Sequence, residues 1–328
     1  MTTIFIEIAA YRDGELIKTI RSALTNATAP DRLRFAIVNQ AGPETEHLLD
    51  EYSDDPRFTI ETTSWRDARG VGAARRRTDE MYNGEDFFLQ IDSHMRFLQD
   101  WDERLIAQWE ACNDPSAIIS SYPPAYRYDE NDKEVFVKSN PNRLVVHEFY
   151  LGYIPIFFGK ELPGNPSKPV AAAFVAGGLQ FGPGRVCEEV AYQPDICFIG
   201  EEIVHSLRLF THGYNIYAPT DQVVSHLYIR SKNQKDVHHF WNDFTQDTAL
   251  KPIYEQMNRL SYQVVADYLS GVKTDGIGAT RTLREFENFA GVDFTNNTVH
   301  KDTYLVRQLP MAIDDTWRSE AIAPVKQS

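Results

Sequence analysis

The chain has 328 residues, 42% of them hydrophobic, which suffices for one large or two modest domains with a real core and excludes a disordered chain. Its 33 basic residues against 47 acidic ones leave a formal charge of −14, which repels a polyphosphate backbone and sets nucleic acid aside as a partner. The three cysteines, Cys112, Cys187 and Cys197, are odd in number and lack zinc-site spacing, so neither a disulfide framework nor a structural metal cluster is implied.

Met1-Thr2-Thr3 runs into Ile4-Phe5-Ile6 without a basic-then-apolar leader, and no apolar stretch reaches membrane-spanning length. A cytoplasmic protein without a membrane anchor is therefore expected. From the start of the chain, short apolar runs alternate with helical patterns, the signature of an α/β fold with a largely parallel sheet. A strand is predicted over 3–9, and Leu16, Ile20, Leu24 and Ala27 then recur at helical spacing before Pro30. A strand over 34–39, a helix over 45–52, a strand over 58–62, a helix over 68–82 and a strand over 86–91 follow. Leu105, Ile106 and Trp109 share a helical face with Trp101, after which strands, turns and aromatic-rich loops run to about residue 191. Turn chemistry marks Tyr122-Pro123-Pro124 and Leu162-Pro163-Gly164-Asn165-Pro166. Helical patterns return over 201–209, 253–269 and 282–289, and the residues from Met311 onward read as a tail.

The chemistry-bearing residues gather where strands end. Asp92-Ser93-His94 breaks the apolar run Phe87-Phe88-Leu89-Gln90-Ile91, and ligands of open α/β sheets collect outside the carboxyl ends of strands. Asp92 and His94 can project to one side and offer an oxygen and an imidazole nitrogen, a pair suited to Mn²⁺ or a similar divalent ion. The same tripeptide reads equally as a capped turn. Ala68-Arg69-Gly70-Val71-Gly72-Ala73-Ala74-Arg75 opens a helix with small residues that let backbone approach a ligand, while Arg75 supplies a forked cation; a tightly packed helix start explains it as well. It is not a dinucleotide fingerprint, because Arg75 stands where a small residue belongs. His226, after Val223-Val224, could complete a metal shell or be an ordinary core histidine. His205, His212, His238 and His239 have no convincing neighbours. Gly200-Glu201-Glu202 opens a helix whose glutamates either complement its dipole or act on a substrate. Ala176-Gly177-Gly178-Leu179 is a close-approach segment or a strand-edge turn. Arg208 and Arg230 are expected to be solvated, and Phe149, Tyr150, Tyr153, Phe157 and Phe158 to be core rather than a sugar platform.

Taken in order, the stretch IFIEIAAYRD over 4–13, residues 68–75, LQIDSHMRFLQDW over 89–101, GEEIVHSLRLFTHGY over 200–214 and VSHLYIR over 224–230 resemble the glycosyltransferase (GlcNAc) family. That family includes cytoplasmic enzymes that place N-acetylglucosamine on hydroxyproline of a ubiquitin-ligase adaptor. The likeness extends through residues 281–287 and 291–294.

The resemblance implies a GT-A fold, a Rossmann-like mixed sheet flanked by helices with a helical C-terminal extension. It implies a UDP-sugar donor, with N-acetylglucosamine or another hexose as the sugar, and a divalent cation such as Mn²⁺ at a variant Asp-x-Asp motif. By position, Asp92, His94 and His226 would hold the metal; Tyr11, Arg12, Asp13, Ser93 and Arg75 would line the nucleotide and diphosphate. Glu201 and Glu202, the latter preferred, would act with Arg75 on the acceptor or the donor sugar. The catalytic domain would span 1–250, with a nucleotide-binding half over 1–100 and an acceptor half over 101–250, then a helical extension over 251–310 and a tail over 311–328. The acceptor would be a hydroxyl on a protein or a glycan, transfer would retain configuration, and a homodimer is compatible with the chain. Phe210 and Asn215 depart from the tryptophan and aspartate more usual in the family, which raises a change in donor or acceptor choice. Two other classes remain on the residues alone: a non-catalytic sugar-nucleotide or glycan binding protein, and a metal-dependent phosphodiesterase or nucleotidyltransferase, which ordinarily needs more carboxylates.

Overall fold

The computed structural model describes residues 2–164, 166–229, 238–305 and 315–325. The chain opens with β1 (Ile4–Tyr11), α1 (Leu16–Asn26), β2 (Leu33–Ala41), β3 (Phe58–Ser64), α2 (Val71–Asp79), β4 (Phe87–Asp92), β5 (Met95–Phe97) and α3 (Trp101–Ala111). Strands β1, β2 and β4 are almost continuously apolar and buried, as parallel strands covered on both faces must be. The edge strand β3 alternates instead. Helix α1 presents Leu16, Ile17, Ile20 and Ala23 to the sheet.

Next come β6 (Ala117–Ser120), β7 (Tyr126–Tyr128), β8 (Glu134–Phe136), β9 (Asn142–Tyr150), β10 (Ile154–Glu161), β11 (Val170–Ala172) and β12 (Leu179–Pro183). The chain then forms α4 (Val186–Glu189), α5 (Glu201–Thr211), β13 (Asn215–Ala218), β14 (Val224–His226), α6 (Phe240–Gln246), α7 (Lys251–Leu269) and α8 (Leu283–Ala290). The main sheet has eight strands in the order β11-β13-β6-β12-β4-β1-β2-β3. β1 runs parallel to β2 and β4, whereas β12 is antiparallel to both β4 and β6, so the sheet is mixed. The small pair β5–β14 stands outside it and sets His226 opposite Met95.

Three expectations change. The helix predicted over 45–52 is a series of turns with a single 3₁₀ turn at Asp50–Tyr52. Pro43 and Pro56 confine the segment, and its buried residues Leu49 and Tyr52 need only one tight turn to reach the core. Helix α2 is shorter than predicted because Gly70, at φ 96°, breaks the chain just before it. The described part of the expected tail is docked: Trp317 is 5% exposed and its indole donates to Asn288 at 3.1 Å, while Arg318 pairs with Glu287 and Asp293 at 3.0 and 2.7 Å. Helix α6 had no counterpart in the sequence reading.

The second apolar cluster joins α5 (Ile203, Leu207), α7 (Val265, Tyr268) and α8 (Phe286) to Leu144 and Ile154 of the β9–β10 hairpin. Residues 251–290 thus share a core with the half that carries the acidic pair. Phe210 is buried against Phe286 and Phe289, and Asn215 bridges Asp114 and Arg281. Phe210 thus serves packing and Asn215 a polar bridge. Arg208, expected to be solvated, is buried and donates to the carbonyls of Ala191 and Gly276. Arg230 and Asn165 lie outside the described residues. Among those described, no helix is long and apolar enough to cross a membrane.

Candidate functional site

Strand β4 ends at Asp92, and the turn Ser93-His94 leads into β5. The pairing of β5 with β14 carries His226 over from another part of the chain, helped by the Leu227 amide donating to the His94 carbonyl at 3.2 Å. One ligand atom each from Asp92, His94 and His226 then lies within 4.8 Å of the others. His226 Nε2 is 3.1 Å from Asp92 Oδ2, and the two imidazole centroids are 4.6 Å apart. Burial would raise the Asp92 carboxyl, but the His226 hydrogen bond and the Arg75 charge outweigh it and hold it well below the usual range. One anionic oxygen with two imidazoles is a fitting donor set for Mn²⁺ or a similar ion. The backbone leaves room for it: a Cβ on Gly178 would stand 2.7 Å from Asp92 Oδ2 and 3.7 Å from His226 Cδ2.

A second trio, Glu7, Asp79 and Cys187, is equally close but fully enclosed. Burial pushes the Glu7 carboxyl up to about 7 and that of Asp79 well above its usual value, which disfavours the anions a cation would need.

Arg75 connects Asp92 to the acidic pair. Projecting from α2 and 4% exposed, it donates to Asp92 Oδ1 at 3.1 Å and to the Gly177 carbonyl at 2.7 Å, and meets Glu201 Oε1 at 2.9 Å. Its guanidinium also lies over the Tyr192 ring, 5.2 Å from the centroid. Glu201 is therefore committed to Arg75. Glu202 is held differently: Oε1 accepts from the Gly177 amide and Oε2 from the Tyr122 hydroxyl, both at 2.8 Å. Burial and the neighbouring Glu201 push its carboxyl up to about 8, against the pull of these two donors. Gly177 is required here, since a Cβ would come within 2.4 Å of Glu201 Oε1.

Ser93 and Asp13 lie beneath the turn: the Ser93 hydroxyl donates to Asp13 Oδ2 at 2.8 Å, and His94 Nδ1 is 2.7 Å from the same oxygen. Tyr11 and Arg12 belong to a different cluster. Arg12, at φ 47°, pairs with Glu44 at 2.7 Å and Asp243 at 2.9 Å and stacks over Trp65, while the Tyr11 hydroxyl donates to Asp243 at 3.1 Å. His238 joins through Asp243 at 3.1 Å.

Sequence reasoning did not single out Tyr122, Tyr192, Gln90, Glu44, Trp65 or Asp243. Gln90 alone left a usable signal, as an amide inside an otherwise apolar strand; it donates to the Gly177 carbonyl at 2.8 Å and to the Tyr192 hydroxyl at 3.1 Å. His205 is buried, stacked on Tyr192.

The family model for Glycosyltransferase (GlcNAc) matches residues 3–53 and 51–296. No curated protein matches the chain. Among many similar solved structures is a crystal structure of GalNAc-T7 with UDP, GalNAc and Mn²⁺, at 15% identity and a TM-score of 0.58. The alignment covers 82% of this chain and 58% of that one, so the chain spans little more than half of its relative. At this identity the likeness is one of fold.

Proposed function

The chain belongs to the glycosyltransferase (GlcNAc) family and has a GT-A type of fold, and from that premise we propose that it transfers a hexosyl or N-acetylhexosaminyl group from a UDP-sugar to a hydroxyl. The observation that carries the reading is the continuous chain of contacts from His226 through Asp92 and Arg75 to Glu201, with Glu202 beside it. A cation-binding face and an acidic face are thereby fixed to one another by a buried arginine.

Asp92, His94 and His226 would hold Mn²⁺ or a similar ion. When bound, such an ion neutralises the charge that builds on a departing diphosphate. Arg75 keeps Asp92 and Glu201 in register. Glu202, protonated at neutral pH, can donate a hydrogen bond to a sugar or acceptor oxygen, and Gly177 and Tyr122 fix its direction. Tyr11 and Arg12, with Glu44, Trp65 and Asp243, form the nucleoside end, where aromatic rings and hydrogen-bonding groups meet at the close of β1. N-acetylglucosamine is the favoured sugar, by family, and a protein hydroxyl the favoured acceptor, with retention. A GalNAc-T7 structure with UDP and Mn²⁺ sharing the fold supports the donor class and the cation.

The test is a panel of UDP- and GDP-sugars with Mn²⁺, read as nucleotide release with and without host lysate. Release of UDP from a UDP-sugar, stimulated by lysate, is expected. Release of UMP, or binding without turnover, would overturn the proposal.

A further inference from the structure

Asp13 stands among the residues that the family likeness places at the nucleotide, yet it is 4% exposed. Its Oδ1 accepts from the Glu15 backbone amide at 3.0 Å, and its Oδ2 faces the Ser93 hydroxyl at 2.8 Å and His94 Nδ1 at 2.7 Å. A carboxylate only accepts, so the group it faces on His94 must be an N–H. The proton is thereby fixed on Nδ1, which puts the ring's lone pair on Nε2. The start of α1 holds the same turn at two further points. Thr19 Oγ1 donates to the Ser93 carbonyl at 2.7 Å and accepts from the Met95 amide at 2.9 Å, and Glu15 pairs with Arg96 at 2.5 Å.

We infer that Asp13 is a positioning residue, which sets the tautomer and direction of His94 as a metal ligand and does not touch the nucleotide. The inference rests on reading Asp92, His94 and His226 as a cation site. Carboxylates behind ligating histidines act in this way generally, and their loss weakens metal binding by about 10- to 100-fold.

The geometry makes Asp13→Asn the informative substitution. The Glu15 amide requires an acceptor at the Oδ1 position, so the asparagine must put its oxygen there and its NH₂ toward Ser93 and His94. A side chain of nearly the same size then donates to Nδ1 instead of accepting from it. The imidazole proton moves to Nε2, where it blocks the ligand lone pair.

Two readouts on the full chain test this. In metal-free protein, ¹⁵N–¹H correlation of the His94 ring should show the proton on Nδ1 in the wild type and on Nε2 in Asp13→Asn. In a Mn²⁺ titration followed by electron paramagnetic resonance, Asp13→Asn should bind at least tenfold more weakly. Asp13→Ala, which leaves the tautomer unset, should fall between the two. An unchanged His94 tautomer in Asp13→Asn, or wild-type Mn²⁺ affinity, overturns the inference. Failure of the wild type to bind Mn²⁺ overturns the cation-site reading itself. If Asp13→Asn unfolds, the wild-type tautomer decides: a proton on Nε2 contradicts the assignment and a proton on Nδ1 upholds it.

Discussion

Gly178→Ala perturbs the proposed cation site with a single methyl group. The added Cβ would lie 2.7 Å from Asp92 Oδ2, closer than real carbon–oxygen contacts allow. Asp92 cannot simply swing aside, because Oδ1 is held by Arg75 at 3.1 Å and Oδ2 by His226 at 3.1 Å. Either the β4–β12 backbones part or the carboxylate rotates by about half an ångström, which is the tolerance of a productive ligand geometry. Overpacking of this kind costs about 1–3 kcal/mol. At about 1.4 kcal/mol per decade, a cost falling wholly on the carboxylate weakens Mn²⁺ binding about 5- to 140-fold. Calorimetric Mn²⁺ titration with a thermal melt on the same sample separates the two routes: a lower affinity at unchanged Tm places the cost on Asp92, and a lower Tm places it on the sheet. Wild-type affinity together with wild-type Tm would refute the proximity of Gly178 to the cation site.

His226→Ala should raise the Mn²⁺ concentration needed for half-maximal UDP release, and an identical metal titration would remove His226 from the shell. Glu202→Ala removes the hydrogen-bond donor and should lower kcat more than UDP affinity, with Glu202→Gln restoring part of the rate; equal losses in both would assign Glu202 to structure. The raised Glu7 carboxyl predicts a pH dependence of stability. Its folded value of about 7 exceeds its ordinary 4.5, so its contribution is complete below pH 4.5 and is lost as pH rises through 7. Glu7→Gln should therefore flatten the decline in Tm between pH 5 and 8, whereas a slope parallel to wild type would contradict a protonated Glu7. Trp317→Ala should cost about 3–5 kcal/mol in denaturant unfolding, as for a buried aromatic, and a cost below 1 kcal/mol would show that the C-terminal segment is not docked.

Most elements of the first hundred residues were legible because their signals are local. Four apolar residues among the five before Asp92 announce a buried strand, and the positions of Leu16 and Ile20 announce a helix packed on it. Helix α6 was not legible: only Phe240 and Phe244 of its residues are buried, too few to raise a periodic pattern in so short a segment. The metal trio could be listed from the sequence, but its convergence depends on β14 pairing with β5, a contact between distant segments. The same limit hid the partners of Arg12, since Asp243 lies 231 residues away along the chain. Glu201 and Glu202 are adjacent in sequence and alike in type, and only the fold separates them, giving one to Arg75 and the other to Gly177 and Tyr122. The family likeness assigned Asp13 to the nucleotide by position, and its contacts with Ser93 and His94, which join the start of α1 to the turn after β4, could not be read from the sequence.

The central claim is that Asp92, with His94 and His226, forms the cation site through which this chain releases UDP from a sugar donor. The most direct test compares Mn²⁺-dependent UDP release from UDP-sugars by wild type and Asp92→Ala, each with and without EDTA. Wild type should release UDP in a way that EDTA abolishes, and Asp92→Ala should lack that release while still folding by circular dichroism. Release that survives both EDTA and Asp92→Ala would contradict it.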